Sequence, residues 1–245
     1  MDMVKDVDKE LCKLAEVNGE YAEFNKRIAN TDKEVLGVRM PAMRRLAKSV
    51  ATGKASWRAG ARVDAKTIMK FLRAADKDVY EQVLFAGLLI NYAELTDEDR
   101  IGLAREYLKY ADSWALVDLF AERMKRFDRG LWMAFAGRCL ASRAEFTVRY
   151  GVIILMSNYL DDESVDEAFA ELRKVNHDAY YVKMALAWLY ATAAVNHYGK
   201  TLRELAREGL DPWTRRKSYQ KMLESYRFTP EQKDEIRALR ANMPR

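Results

Sequence analysis

Asp112-Ser-Trp-Ala-Leu-Val-Asp-Leu-Phe120 sets an indole and a carboxylate four residues apart in an otherwise apolar run. At about 3.6 residues per turn this spacing stacks Trp114 and Asp118 on one helical face, and the strict alternation of a half-buried strand is missing. Two later segments share the design, each apolar and helical with one residue of chemical interest. They are Thr147 to Leu155 with Arg149, and Tyr180 to Ala191 with Trp188 near Lys183. Together they point to an all-α chain and suggest a site.

Outward from these segments, helical periodicity dominates, with only 4 Pro and 11 Gly in 245 residues. Helices are expected over Asp8 to Ile28, then from Pro41 to Val50 behind a Gly37-Val-Arg-Met-Pro turn, where proline suits the first helical turn. The series continues with Asp64 to Ala74, Asp78 to Ala93, Asp97 to Tyr110, Asp112 to Arg126, Arg129 to Ala141 and Glu145 to Tyr159. Asp162 to Lys174, Asp178 to Asn196, Tyr198 to Arg207 and Pro212 to Tyr226 follow, and Thr229-Pro-Glu-Gln reads as a capping box opening a last helix. Many begin on Asp or Thr, which suits both the cap and the helix dipole. Short loops imply antiparallel neighbours, and pairs recurring at roughly 35 to 40 residues look like stacked helical repeats in one domain, residues 1–245. No consensus recurs at a fixed period, so a closed bundle stays open on periodicity alone.

An apolar content of 49% is ample for a large core. No long uncharged apolar run occurs, and the Met-Asp-Met-Val-Lys-Asp start has neither the basic beginning nor the apolar stretch of a secretion signal, so a cytoplasmic location is expected. Cys12, Cys139, His177 and His197 form no metal-ligand spacing and no disulfide framework. No metal or cofactor is implied. The formal charge of +5 is unevenly placed: ten Lys or Arg fall between Gly37 and Arg73 (Arg39, Arg44, Arg45, Lys48, Lys54, Arg58, Arg62, Lys66, Lys70, Arg73) against one acid, Asp64. Such a window is either a solvated basic face or a surface for a polyanion such as nucleic acid; a membrane surface fits less well, because no amphipathic basic helix with exposed Trp or Phe stands out.

Arg149 is the only charge in Val148-Arg-Tyr-Gly-Val-Ile-Ile-Leu-Met and needs a partner. One reading is a structural ion pair with Glu145 or Asp118; the other is a phosphate clamp, since the planar guanidinium fork matches two phosphate oxygens. Taken alone, Trp114 and Trp188 read as packing residues, Trp188 in a segment apolar nearly all round. Asp118 is harder to assign to structure, because its mid-helix position makes end-capping unsuitable.

Four motifs in order carry a resemblance: Gly37-Val-Arg-Met-Pro-Ala-Met-Arg-Arg, Ser113-Trp-Ala-Leu-Val-Asp, Val148-Arg-Tyr-Gly and Tyr181-Val-Lys-Met-Ala-Leu-Ala-Trp. Over roughly residues 30 to 225 the chain resembles the AlkD-type DNA alkylation-repair glycosylases. The resemblance implies a HEAT-like helical-repeat solenoid of antiparallel helix pairs with a concave basic surface. It also implies that Trp114, Asp118 and Trp188 line the cleft meeting a damaged nucleotide. Arg149 would hold the adjacent phosphate, and the basic helix with Arg39, Arg44, Arg45 and Lys48 would position double-stranded DNA. The family excises purines alkylated at N3 or N7, leaving the lesion in the duplex without a base-flipping pocket. Other members have a Trp-Trp pair where this chain has Ser113-Trp114.

The expected activity is therefore that of a monofunctional DNA glycosylase acting as a monomer. The alternatives are a non-catalytic helical-repeat module that binds DNA structure or damage, and a protein-binding scaffold, which the charge pattern opposes. Lys183 is the one lysine near enough to a candidate residue to suggest lyase chemistry, and it also reads as a helix-surface charge.

Overall fold

The computed structural model describes residues 3–15, 19–58, 60–121, 124 and 126–243. Among them stand fourteen α-helices, one short 3-10 turn (Ser56–Arg58) and no strand. The chain divides into two compact units, Met1–Glu122 with Arg126–Trp132, and Arg123–Lys125 with Met133–Arg245.

The first unit contains α1 (Met3–Leu14), α2 (Glu20–Ala29), α3 (Met40–Ala51), α4 (Ala65–Ala74), α5 (Tyr80–Tyr92), α6 (Asp97–Tyr107) and α7 (Trp114–Phe120). Its centre is α5, buried at every position from Tyr80 to Ile90 because its sequence is apolar nearly all round. Two neighbours, α3 and α7, flank it in one layer, while α4 and α6 pack against each other and against α5 in a second. Gly87 lets the layers close: a Cβ there would lie 3.0 Å from the Tyr107 ring. Tyr107 is fully buried, packs at a tilt against Phe120 with ring centroids 4.5 Å apart and donates its hydroxyl proton to the Leu116 carbonyl at 3.0 Å.

Helix α8 (Arg129–Leu140) begins in the first unit and continues in the second, which adds α9 (Glu145–Asn158), α10 (Val165–Leu172), α11 (Tyr180–Ala193), α12 (Tyr198–Ala206), α13 (Pro212–Glu224) and α14 (Pro230–Ala241). Here α11 is the axis, flanked by α9 and α13. The pairs α3–α5, α4–α6 and α5–α7 in the first unit, and α9–α11 and α11–α13 in the second, each join a helix to the one two places on, as in a helical-repeat stack.

Several of the expected caps are present. The side chains of Asp64, Thr96, Ser113, Asp211 and Thr229 accept backbone N–H groups at the starts of α4, α6, α7, α13 and α14, and Thr229 forms the full capping box with Gln232. Two helix assignments need correction. The single opening helix from Asp8 to Ile28 is two helices, interrupted before Gly19, whose φ of 69° is left-handed. The helix expected from Asp112 to Arg126 is only Trp114–Phe120, with Ala121 leaving helical geometry; Glu122, Arg123 and Lys125 lie outside the described residues. No helix is long and apolar enough to cross a membrane among those described.

Candidate functional site

The seven residues of α7 are held from three sides within the first unit. Ser113 is fully buried and its hydroxyl oxygen accepts the Leu116 N–H at 3.4 Å, so position 113 serves the helix start rather than the surface. Tyr107 holds the middle through Leu116, and the Asn91 amide donates to the Phe120 carbonyl at 3.1 Å at the end. Ala115, Leu116, Val117 and Phe120 face inward, leaving Trp114 and Asp118 half-buried, one turn apart on the other side. The Trp114 indole N–H donates to the Ile28 carbonyl of α2 at 3.0 Å, which fixes the ring plane. Asp112, just before the cap, accepts from the Thr31 hydroxyl at 2.8 Å and lies 3.8 Å from the Lys33 ammonium.

The basic segment is fixed by a residue that sequence reasoning missed. Glu81, buried on α5, accepts the backbone N–H groups of Leu36 (2.9 Å), Gly37 (2.9 Å) and Val38 (3.2 Å). Gly37 has a left-handed φ of 85°, and a Cβ there would come within 3.1 Å of Ala22. This clasp aims the chain into α3, whose first turn holds Pro41. Arg39 then lies 3.9 Å over the Tyr21 ring and Arg44 donates to the Tyr92 hydroxyl at 3.0 Å, while Arg45 and Lys48 are exposed. The neighbouring Tyr80 hydroxyl is pushed well above its ordinary range by burial, with Glu81 and Asp112 adding to the effect. A signal for Glu81 exists in the sequence: like Arg149, it is a lone charge in an apolar helix.

A cavity of about 220 Å³ lies at the ends of α3 and α5, lined by Ala51, Thr52, Arg62, Val63, Asp64, Tyr92 and Glu94. None of the candidate residues lines it. The basic window is divided: Arg44, Arg45 and Lys48 sit on α3 in one layer, whereas Lys66, Lys70 and Arg73 sit on α4 in the other.

In the second unit, Arg149 on α9 is only 4% exposed, and its Nη1 donates to the Tyr181 carbonyl at 2.8 Å with the guanidinium 6.0 Å from that ring. Glu145, one of the two ion-pair partners considered for it, accepts the Tyr181 N–H at 2.8 Å. Trp188 is 40% exposed on α11, against the reading of it as a core residue; its helix neighbours Ala185, Leu186, Ala187 and Leu189 bury the other side. Tyr180 and Trp213 are exposed nearby in contact, with ring centroids 5.6 Å apart.

Two further cations lie on α13, which packs against α11. Lys217 and Lys221, one turn apart on α13, lie close enough to act on each other, and burial, with Lys217 and Arg149 nearby, pushes the Lys221 ammonium below its ordinary range. Sequence reasoning missed both, because Lys at turn spacing on a helix is ordinary. Lys183 is committed elsewhere. Hydrogen bonds that its ammonium donates to Asp211 first and then to Asp178, each at 3.2 Å, hold it above the usual lysine range, so it is protonated and a poor nucleophile. No group of three or more His, Cys, Asp or Glu is set to hold a metal ion among the described residues.

Apart from Arg39, which caps the start of α3, each candidate residue lies on a helix of the α3, α5, α7 layer or of the α9, α11, α13 row in its own unit. Trp114 and Asp118 share a face of the first; Arg149 and Trp188 belong to the second. None of the curated proteins and none of the solved structures compared matches the chain. The model of one family, described as DNA alkylation repair enzyme, matches residues 8–222. With nearly the whole chain matched, the protein belongs to the DNA alkylation repair enzyme family.

Proposed function

We propose that the protein is a monofunctional DNA glycosylase that hydrolyses the N-glycosidic bond of cationic N3- or N7-alkylated purines in duplex DNA. The observation that carries this reading is the pairing of Trp114 and Asp118 one turn apart on a rigidly held helix, both partly open to solvent. An alkylated purine is already positively charged, so the bond from C1′ to the base nitrogen can break with its electron pair leaving on the base, which becomes neutral. Positive charge then develops on the deoxyribose. The Asp118 carboxylate stabilises that charge and takes the proton of a water attacking C1′, completing the hydrolysis.

The Trp114 indole beside Asp118 offers an electron-rich face to the cationic lesion and sugar, an attraction of about 1–2 kcal/mol when desolvated, and Trp188 on the second unit offers a face of the same kind to the DNA. Arg149 contributes positive potential from beneath the surface, and Lys217 and Lys221 offer the more reachable ammonium groups. On the first unit, Arg39, Arg44, Arg45 and Lys48 position the backbone without reading bases, so affinity falls steeply with salt. The lesion stays in the duplex, because a cationic leaving group needs little acid catalysis and hence no enclosing pocket. A monomer suffices for this chemistry.

The test is release of 7-methylguanine and 3-methyladenine from methylated duplex DNA by the wild type and Asp118→Asn, at equal protein and fixed salt. Release by the wild type that vanishes in the variant supports the reading. Intact DNA binding with no release by either protein overturns it in favour of a non-catalytic DNA-binding module.

A further inference from the structure

The outer cations of the basic window are left over from the site just described. Lys66, Lys70 and Arg73 follow one another at i, i+4 and i+7 on α4 and all three are exposed, while Ile68, Phe71 and Leu72 on the opposite side are buried. Like charges one turn apart destabilise a helix, and α4 contains no acid to offset them. Two acids that feel these charges are engaged. Asp64 caps the helix by accepting the Thr67 N–H at 2.8 Å, and Glu106 of α6, which feels Arg73, accepts from Lys109 at 2.6 Å and from the Tyr110 hydroxyl at 2.9 Å.

Four cations of the first unit have carboxylate partners: Lys13 with Glu10, Lys33 with Asp112, Arg62 with Glu94 and Lys109 with Glu106. Lys66, Lys70 and Arg73 have none within ion-pair distance among the described residues. Helix α1 packs on α4 and α5 through Met3, Val7 and Leu11, and it exposes Lys5 and Lys9 on its far side. Its acid Asp8 accepts from the Gln82 amide at 2.9 Å. The α4 ladder belongs to the layer opposite α3 and α7, so a duplex lying on Arg45 and Lys48 does not cover it.

We propose that the exposed side of α4 is a second surface for the DNA phosphate backbone, holding a duplex segment other than the one at α3 and α7. From Lys66 to Arg73 the helix rises about 10 Å, and over that length a duplex presents roughly six phosphate charges. Contacts of this kind read no sequence. Their consequence is that one molecule bridges two duplex segments and passes between them without fully dissociating, which suits a protein that must scan DNA for rare damage. The inference rests on duplex DNA as the partner, and on the proposed reading only to that extent.

The experiment uses the full chain bound to a surface-anchored short duplex and measures capture of a second, fluorescent duplex, with methylpurine release followed in parallel. The wild type is expected to capture the second duplex. K66E/K70E/R73E should lose capture, removing roughly 3 from the log–log salt slope of that step, while its melting curve and its binding to a single duplex stay as in the wild type. R45E/K48E should weaken binding of the anchored duplex instead. A wild type that holds one duplex only, a triple variant that captures normally, or binding of anionic vesicles with no second duplex each overturns the second surface. Capture without methylpurine release overturns the glycosylase reading and leaves this surface standing.

Discussion

Glu81 and Gly37 are joined across the first unit, the buried carboxylate accepting the glycine N–H at 2.9 Å while also holding the N–H groups of Leu36 and Val38. Three donors converge on one side chain because Gly37, at a φ of 85°, turns the backbone inward. The segment that leads into the basic helix is thus ordered from the core rather than by its own charges. Glu81→Gln keeps the shape but turns an amide N–H₂ toward at least one backbone donor. The expected loss is about 1–3 kcal/mol of stability, read from urea unfolding, with weaker DNA binding through α3. Unchanged stability would show that the clasp is dispensable.

Two glycines in helices should respond in opposite ways to alanine. At Gly151 on α9 an added Cβ would lie 3.0 Å from the Ala136 carbonyl oxygen and 3.1 Å from the Cys139 Cβ, both on α8. Backbone cannot move aside cheaply there, so Gly151→Ala should destabilise by about 1–3 kcal/mol. At Gly102 on α6 nothing lies within 4 Å of the added carbon. Gly102→Ala should therefore stabilise by up to about 1 kcal/mol. Thermal melts of the two variants against the wild type check the pair, and equal effects would contradict the close approach of α8 and α9.

The all-α class and the approximate helix series were legible because apolar residues repeat at helical spacing over nearly the whole chain, with few breakers. The division into Met3–Leu14 and Glu20–Ala29 is hard to see in the sequence because apolar periodicity continues on both sides of it, and only the Asn18-Gly19 dipeptide marks a turn. The short α7 was extended too far because Glu122 to Arg126 has good helix formers, whereas Asn91 ends the helix from elsewhere in the fold. Trp188 read as core for a related reason. When a helix is apolar nearly all round, composition does not say which side is open, and the exposed strip of α11 is set by how α9 and α13 flank it. The Trp114 and Asp118 face was readable, since spacing alone fixes it; the Glu81 clasp was not, because its partners lie 43 to 45 residues away.

Acid should loosen the link between α11 and α13. Burial alone would raise the Asp211 carboxyl, but hydrogen bonds from the Thr214 N–H and hydroxyl and from Lys183 outweigh it, and its pKa falls below the ordinary 3.8. A folded-state value below the unfolded one gives stability that is present above pH 3.8 and lost as pH falls through the lowered folded value. Lys183 works in the other sense: its pKa is raised above 10.5, so its contribution is present below that pH and lost on going alkaline beyond it. Asp211→Asn should flatten the acid limb of a stability-against-pH curve. An acid limb unchanged in the variant would place that dependence elsewhere.

The exposed position of Trp188 separates chemistry from folding. Because Trp188 is 40% exposed, Trp188→Ala should cost less stability than a buried tryptophan, about 1–2 kcal/mol. Under the proposed glycosylase reading it removes an aromatic face offered to the DNA, worth about 1–2 kcal/mol, and excision should slow by roughly 5- to 30-fold. Trp132, buried at 1% exposure, is the control in the other direction, since Trp132→Ala should cost about 3–5 kcal/mol of stability. The measurements are thermal unfolding and single-turnover release of 7-methylguanine on the same preparations. A Trp188→Ala protein that loses as much stability as Trp132→Ala would make the indole a packing residue after all, and one that keeps the full excision rate would remove Trp188 from the site while leaving Trp114 and Asp118 in place.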